Sequence, residues 1–219
     1  MKSNIHTTYA DQMNFASLAI NNGLKHEFIL EAITPYGYGP DKLNEGLALY
    51  KETHKLYIGH SKKQNNKTYS TANLYSEWKL LNTAYIRKLK IARIVFENNT
   101  EAQISLQLKG KRDKNISNWM DQASTFYSNI LINPTFIEMM NSLLITEDQI
   151  RTDLHKLENL RILKLKQDEC KGIARQAKLD RDVKFKELKQ WLNRYLAVAR
   201  FALEDSPQMM ESLGVTVAS

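Results

Sequence analysis

The sequence predicts an all-α protein made of two tandem antiparallel helical bundles, each with three long helices and one short helix. Glycine and proline are scarce, at 8 and 4 of 219 residues, which disfavours a turn-rich β fold. Hydrophobic residues make up 42% of the chain, enough to form a core. They recur at steps of three and four residues, which is the period of helices with one buried face.

The two bundles are predicted from an internal repeat, because the chain matches itself without a gap at one fixed offset. Positions related by this offset are called equivalent here, and between the identical ones apolar residues align with other apolar residues. We therefore predict one repeat at residues 10–108 and a second at 117–215, joined by a basic linker at 109–116. The identical pairs include Met13/Met120, Asn22/Asn129, Asp41/Asp148, Leu81/Leu188, Arg93/Arg200 and Leu106/Leu213.

The first long helix is predicted from about Thr8 to Ile33, and in the second repeat from Ser117 to Leu143 with Ser117 as its N-cap. The second long helix is predicted to begin at Pro40, since proline suits the first helical position. In the second repeat it follows Thr146, which forms a capping-box sequence with Gln149.

A turn is predicted to end the second helix at Asn65 and Gly172, which occupy equivalent positions and tolerate left-handed backbone. The third helix would then start near Asn73 and Asp180 and carry the apolar residues up to Phe96 and Leu203. A short helix should close each repeat, at 100–108 and 206–213, and Gly214 suits the position after a helix end.

The end of the second repeat resembles a family of uncharacterised bacterial all-helical proteins with a duplicated bundle. The resemblance rests on Ala199-Arg200, an acidic residue, Pro207 and Leu213-Gly214. The first repeat has Ala92-Arg93 and Glu97 at the equivalent positions but lacks the proline and the Leu-Gly pair. The resemblance implies a duplicated helical architecture and no catalytic residue.

A polar cluster, here called the pole, is predicted at one end of each bundle, where the three helix ends would meet. Arginines of the third helix are expected to bind carboxylates of the first two helices as structural tethers, with a ligand site as the alternative. The pole residues are Glu31, Asp41, Arg93 and Glu97 in the first repeat and Glu138, Asp148, Arg200 and Glu204 in the second.

The net charge of +7 raises the alternative of a polyanion-binding patch on the first repeat. The second repeat has Tyr195 and Ala197 where the first has Lys88 and Lys90, so a solvated basic face is the preferred interpretation. The candidate patch residues are Arg87, Lys88, Lys90, Lys111 and Arg112.

The sequence predicts no enzyme, cofactor or metal centre. Catalytic, phosphate-loop and dinucleotide motifs are missing, and no histidine follows a glutamate at the spacing of a di-iron bundle. Each of the five histidines is interpreted as a surface or boundary residue, and Cys170 as an incidental thiol. The histidines are His6, His26, His54, His60 and His155.

These observations favour a non-enzymatic helical interaction or scaffold protein whose partner is another protein or a second copy of the chain. The alternative is a weak binder of nucleic acid or another polyanion through the first repeat. The single cysteine suits a reducing compartment, and neither a secretory signal at the N-terminus nor a membrane-spanning run is visible. We therefore expect a cytoplasmic protein.

Overall fold

The computed structural model describes residues 8–217, and these residues form helices and turns without a β-strand. The all-α prediction is therefore correct. A single turn of 3₁₀ helix at Thr34–Tyr36 follows the second helix. The α-helices are α1 (Tyr9–Lys25), α2 (Glu27–Ile33), α3 (Pro40–Val95), α4 (Thr100–Ser105), α5 (Ile116–Ile132), α6 (Pro134–Asn141), α7 (Glu147–Ala202) and α8 (Met209–Ser212).

The predicted turns at Asn65 and Gly172 are wrong, because α3 and α7 are continuous helices of 56 residues each. A Cβ on Gly172 would meet no atom within 4 Å, and its backbone is not left-handed. A residue with poor helix propensity costs a helix interior only about 0.5 to 1 kcal/mol relative to alanine, so one such residue does not end a helix. Asn73 and Asp180 consequently lie inside helices and cap nothing.

The first predicted helix is also wrong as a single element, since it breaks at His26 and at Asn133, which both adopt extended backbone. At the second break, Pro134 disfavours helical backbone in the residue before it. The Asn133 side chain then caps α6 by accepting from the amide of Thr135 at 3.0 Å. The N-cap of α5 is Asn115 rather than Ser117, whose amide donates to the Asn115 side chain at 2.9 Å.

The remaining helix-boundary predictions are correct in part. Helix α3 begins at Pro40. Helix α7 begins after Thr146, whose hydroxyl accepts from the amide of Gln149 at 3.3 Å. Gly214 lies just after the last helix with a positive φ of 79°, as expected for a helix end.

The described chain divides into two compact units, unit 1 (residues 8–64 and 173–217) and unit 2 (residues 65–172). Both long helices pass from one unit to the other, so each unit contains the first part of one long helix and the last part of the other. Each unit therefore takes elements from both predicted repeats.

Unit 1 packs α1, α2 and α8 against the beginning of α3 and the end of α7. Helix α1 buries Met13, Ala16 and Ile20 at three- and four-residue steps, and these join Leu43 of α3 and Tyr195 of α7 in one core. Each large side chain removed from water stabilises the fold by about 1.5 to 3 kcal/mol.

Unit 2 packs α4, α5 and α6 against the end of α3 and the beginning of α7, around a centre of aromatic rings. The buried ring of Tyr85 makes edge-to-face contacts with Trp119 and Phe126, at centroid distances of 5.7 and 5.4 Å. Tyr127 lies beside them, with its centroid 6.0 Å from that of Tyr85. Such contacts add to the free energy gained from burying the rings.

Candidate functional site

The pole residues do not meet as the sequence suggested. Because α3 and α7 are continuous, Arg93 and Glu97 belong to unit 2 whereas Glu31 and Asp41 belong to unit 1. In the same way, Arg200 and Glu204 belong to unit 1 whereas Glu138 and Asp148 belong to unit 2. All of these side chains are exposed, and within residues 8–217 no ion pair joins any two of them.

Arg93 is nevertheless a tether, although its acceptors are backbone carbonyls rather than carboxylates. Its Nε donates to the carbonyl of Leu108 at 2.7 Å, and its Nη2 donates to the carbonyl of Gly110 at 3.3 Å. These bonds fasten the segment after α4 to the end of α3. The same side chain lines an open cavity of about 430 Å³ together with Glu97 and Lys109. The guanidinium of Arg200 makes no comparable bond within the described residues.

Lys88 does not belong to an exposed polyanion patch, because it is only 9% exposed and pairs with Asp153. The Lys88 ammonium donates to Asp153 Oδ2 at 2.6 Å, and the Tyr127 hydroxyl donates to the same oxygen at 3.0 Å. We call these three residues the buried polar cluster. They come from α3, α5 and α7 and lie within unit 2. Lys88 therefore anchors the core of unit 2, and treating it as a surface phosphate ligand was wrong.

Arg112 is a second patch residue with a structural contact. Its Nη1 donates to the hydroxyl of Tyr85 at 3.0 Å, and its Nη2 donates to the carbonyls of Gln107 and Lys109 at 2.8 and 2.9 Å. The guanidinium therefore holds the loop between α4 and α5 against the core. Arg87, Lys90 and Lys111 are the patch residues that remain exposed.

The buried polar cluster was missed by the sequence analysis, although the apolar pattern carried a signal for it. Asp153 stands three residues after Ile150 and four before Leu157, both of which are buried, so it lies within the buried stripe of α7. Charged residues at such positions are almost never fully buried unless they are paired. Burial raises the pKa of the Tyr127 hydroxyl, and the negative charge of Asp153 raises it further.

A groove of about 480 Å³ lies next to this cluster and is here called the unit 2 groove. Leu80 and Leu144 stand in its walls although 66% and 83% of their surfaces are exposed. Leu144 also has a left-handed backbone, with φ of 64°. Leucine rarely adopts that conformation, because its Cβ approaches the following carbonyl oxygen. The groove is lined by Leu80, Ala84, Arg87, Lys88, Leu144 and Ile145, among others.

Unit 1 carries an exposed aromatic pair, formed by Tyr36 after α2 and Phe201 near the end of α7. The two rings meet edge to face with centroids 5.2 Å apart, yet they remain 51% and 57% exposed. The equivalent positions in unit 2 hold Leu143 and Ile94, which are 44% and 67% exposed. Apolar side chains are thus presented at equivalent positions in both units, with aromatic rings in unit 1 only.

Within residues 8–217, no three histidine, cysteine, aspartate or glutamate side chains lie close enough together to hold a metal ion. His6 lies outside the described residues. Cys170 is partly exposed beside Tyr69 and Lys166 in a shallow cavity of unit 2. His60 lies 3.2 Å from the guanidinium of Arg181. Burial and this neighbouring charge lower the pKa of the His60 imidazole.

No protein-family model matches the chain, and no curated protein or solved structure is significantly similar to it. The resemblance of its C-terminal motif to a bacterial family therefore stays a prediction. None of the described helices combines the length and apolar character that crossing a membrane requires.

Proposed function

We propose that this protein is a non-enzymatic interaction or scaffold module that binds a protein partner through the aromatic pair of unit 1. The observation that carries the proposal is the exposure of Tyr36 and Phe201, two rings fixed against each other at 5.2 Å. Aromatic side chains dominate the energetics of protein interfaces because they bury a large area with few rotatable bonds. Rings that already contact each other lose little further freedom when a partner covers them.

Charges next to the pair give the proposed surface a polar rim. Arg200 precedes Phe201 in the chain, Glu204 follows three residues later, and both side chains are exposed. Protein interfaces commonly place apolar anchors at the centre and charged residues at the rim. The pole residues of unit 1 would then contribute orientation and association rate more than affinity.

We further infer that the two units derive from a duplicated segment. The ungapped sequence match supports this inference, and so do the helix boundaries. The offset that aligns Met13 with Met120 also aligns both ends of α1 with those of α5, and both ends of α3 with those of α7. Duplication followed by divergence accounts for equivalent backbones that carry rings in unit 1 and aliphatic side chains in unit 2.

The proposed function is tested by quantitative affinity capture with the full chain and two matched double variants. Tyr36→Ser with Phe201→Ser removes the aromatic pair, and Leu143→Ser with Ile94→Ser makes the equivalent change in unit 2. We expect the parent and the unit 2 variant to retain one stoichiometric protein partner that the unit 1 variant loses. Sedimentation equilibrium of the same proteins detects the case in which the partner is a second copy.

Equal recovery of the partner by both double variants would contradict the proposed surface. Circular dichroism and thermal unfolding of each variant show whether a loss of binding reflects a loss of folding. Both pairs are already largely exposed, so we expect their substitution to leave the helices intact.

A further inference from the structure

We propose that the unit 2 groove binds a free fatty acid, with the carboxylate held by Arg87 and the acyl chain lying between Leu80 and Leu144. This proposal goes beyond the protein-partner surface of unit 1. It concerns a different unit, a different set of residues and a small-molecule ligand. It rests on the shape of the groove, on its exposed arginine and on a comparison with the equivalent region of unit 1.

The groove has the size and composition of a small-ligand site. Its volume of about 480 Å³ lies within the range of roughly 300 to 1,000 Å³ that is typical of ligand pockets. Leu80, Ala84, Leu144 and Ile145 form the apolar half of its lining, and Thr83, Arg87, Lys88 and Gln149 form the polar half. An apolar wall beside an exposed cation suits an amphiphile whose single polar end is an anion.

The exposed cation of the groove has hydrogen-bonding capacity that the protein does not use. Arg87 is exposed and makes no ion pair or side-chain hydrogen bond within residues 8–217. A guanidinium binds a carboxylate in a bidentate manner.

The backbone at Leu144 points to a role for its side chain. The equivalent residue of unit 1 is Gly37, which has φ of 82° compared with 64° at Leu144. Glycine adopts this conformation without strain, whereas leucine does not. Unit 2 therefore keeps a strained and largely exposed leucine beside the groove, at a position where unit 1 has the residue that the backbone favours. Strain of this kind is concentrated at binding sites.

Unit 1 has different side chains at the positions that line the groove in unit 2. Trp191 stands at the position equivalent to Ala84, and Tyr38 stands at the position equivalent to Ile145. Their rings contact each other with centroids 6.0 Å apart. The positions equivalent to Leu80 and Lys88 hold Glu187 and Tyr195. Unit 1 thus has an acidic residue in place of Leu80 and aromatic rings in place of Ala84 and Ile145, so we expect it to bind no fatty acid although Arg194 stands at the position equivalent to Arg87.

The test is isothermal titration of the full chain with dodecanoate below its micelle concentration, with dodecanol as the uncharged probe. We expect dodecanoate to bind with a stoichiometry of one and dodecanol to bind at least about tenfold more weakly, because it lacks the anion that Arg87 recognises. Bound dodecanoate should also raise the melting temperature of the protein in proportion to the logarithm of its concentration.

Two variants and two controls assign the binding to the unit 2 groove. Leu144→Asn removes the apolar wall while keeping a residue that tolerates left-handed backbone, and Arg87→Gln removes the exposed cation. Each should weaken dodecanoate binding about tenfold. The controls are Leu165→Asn, which changes a leucine that is 70% exposed elsewhere on unit 2, and Lys90→Gln, which removes a nearby exposed charge. Neither control should change the affinity.

Three results would overturn the proposal. Dodecanol binding as tightly as dodecanoate would show that Arg87 does not recognise the ligand. A loss of affinity in the controls as large as in the groove variants would indicate adsorption to exposed apolar surface. The absence of measurable binding by the folded parent protein would show that the groove does not take this class of ligand.

Discussion

Unit 1 and unit 2 place the same helical elements around their cores but fill the centres of those cores with different chemistry. Unit 2 has Lys88 and Asp153 in contact, with Tyr127 donating to the same carboxylate. The equivalent positions in unit 1 hold Tyr195, Gly46 and Ile20. There the Tyr195 hydroxyl donates to the carbonyl of Ala19 at 3.3 Å, and the ring of Trp191 occupies the space over Gly46.

The difference shows that one helix arrangement accepts either an ionic or an aromatic centre, with different consequences for stability. An aromatic centre stabilises through buried area and packing. A buried ion pair gains less, because removing both charges from water offsets much of their attraction. It also makes each partner dependent on the other, since either charge alone is buried without compensation. Unit 2 should therefore be the more sensitive unit to single substitutions.

The largest effect should follow the removal of one member of the ion pair. Asp153→Ala leaves the Lys88 ammonium buried without a counter-charge, and we expect it to lower the free energy of unfolding by about 3 to 5 kcal/mol. Replacing both residues, as Lys88→Met with Asp153→Leu, should cost much less, because no uncompensated charge remains. Chemical denaturation of Lys88→Met, of Asp153→Leu and of the double variant measures the coupling energy between the two residues.

Additive effects in this double-mutant cycle would contradict the dependence of the two charges on each other. The pair would then stabilise unit 2 no differently from independent side chains, and the contrast with unit 1 would not hold.

A smaller effect should distinguish the two buried tyrosine hydroxyls. Tyr127→Phe removes a hydrogen bond to a carboxylate and should cost about 1.5 to 3 kcal/mol, whereas Tyr195→Phe removes a bond to a neutral carbonyl and should cost about 0.5 to 1.5 kcal/mol. Urea unfolding at neutral pH measures both values. Equal costs would indicate that the Asp153 charge does not strengthen the Tyr127 bond.

Alkaline pH should sharpen the same comparison. Burial raises the pKa of both hydroxyls in the folded protein, and the Asp153 charge raises that of Tyr127 further. An unfolded tyrosine ionises near pH 10, whereas the two buried hydroxyls stay protonated at that pH. The stability that these hydroxyls contribute in their protonated form is therefore complete below about pH 10 and is lost as the pH rises above it. Each Tyr→Phe variant should therefore show a shallower loss of stability above pH 10 than the parent.

The space over Gly46 allows a test from the unit 1 side. A Cβ on Gly46 would lie 2.2 Å from Cη2 of Trp191, so the indole ring has to move when alanine is introduced. We expect Gly46→Ala to cost about 1 to 3 kcal/mol through overpacking. Gly59→Ala is the matched control in the same helix, because its Cβ would meet nothing within 4 Å, and it should be neutral or stabilising by up to about 1 kcal/mol. Similar costs for the two variants would contradict the close packing of Trp191.

The fold class and several helix starts could be predicted from the sequence, because they depend on local residue patterns. The course of the long helices could not, because it depends on how the chain packs as a whole. Helical period and scarce breakers predict the all-α class, and Pro40 and Thr146 mark helix starts through local chemistry that holds in any fold. Asn65 and Gly172 resemble helix ends in sequence, but nothing in the tertiary structure requires the chain to turn there. That single error brought the end of the third predicted helix back to the end of the first and the start of the second, and it produced the incorrect pole.

The candidate site was less predictable because its contacts join residues from different repeats. Lys88 and Asp153 lie 65 positions apart, and no local pattern indicates that they meet. The acceptors of Arg93 are backbone carbonyls, which carry no residue-type signal. A charge within an apolar stripe, as at Asp153, was the one readable indication of the buried polar cluster.

The smallest predicted effect concerns Arg93 and Arg200, which are identical in sequence but not in contacts. Arg93 donates to two backbone carbonyls of unit 2, so Arg93→Ala should cost about 0.5 to 1.5 kcal/mol. Arg200 is exposed without a comparable bond in the described chain, so Arg200→Ala should stay within about 0.5 kcal/mol, as should the surface control Lys63→Ala. Denaturation of the three variants under identical conditions measures the difference. Equal losses of stability in Arg93→Ala and Arg200→Ala would contradict the difference in contacts between the two arginines. If Arg200→Ala keeps its stability as expected and also lowers the recovery of the protein partner, the arginine of unit 1 belongs to the rim of the interaction surface and that of unit 2 to the architecture.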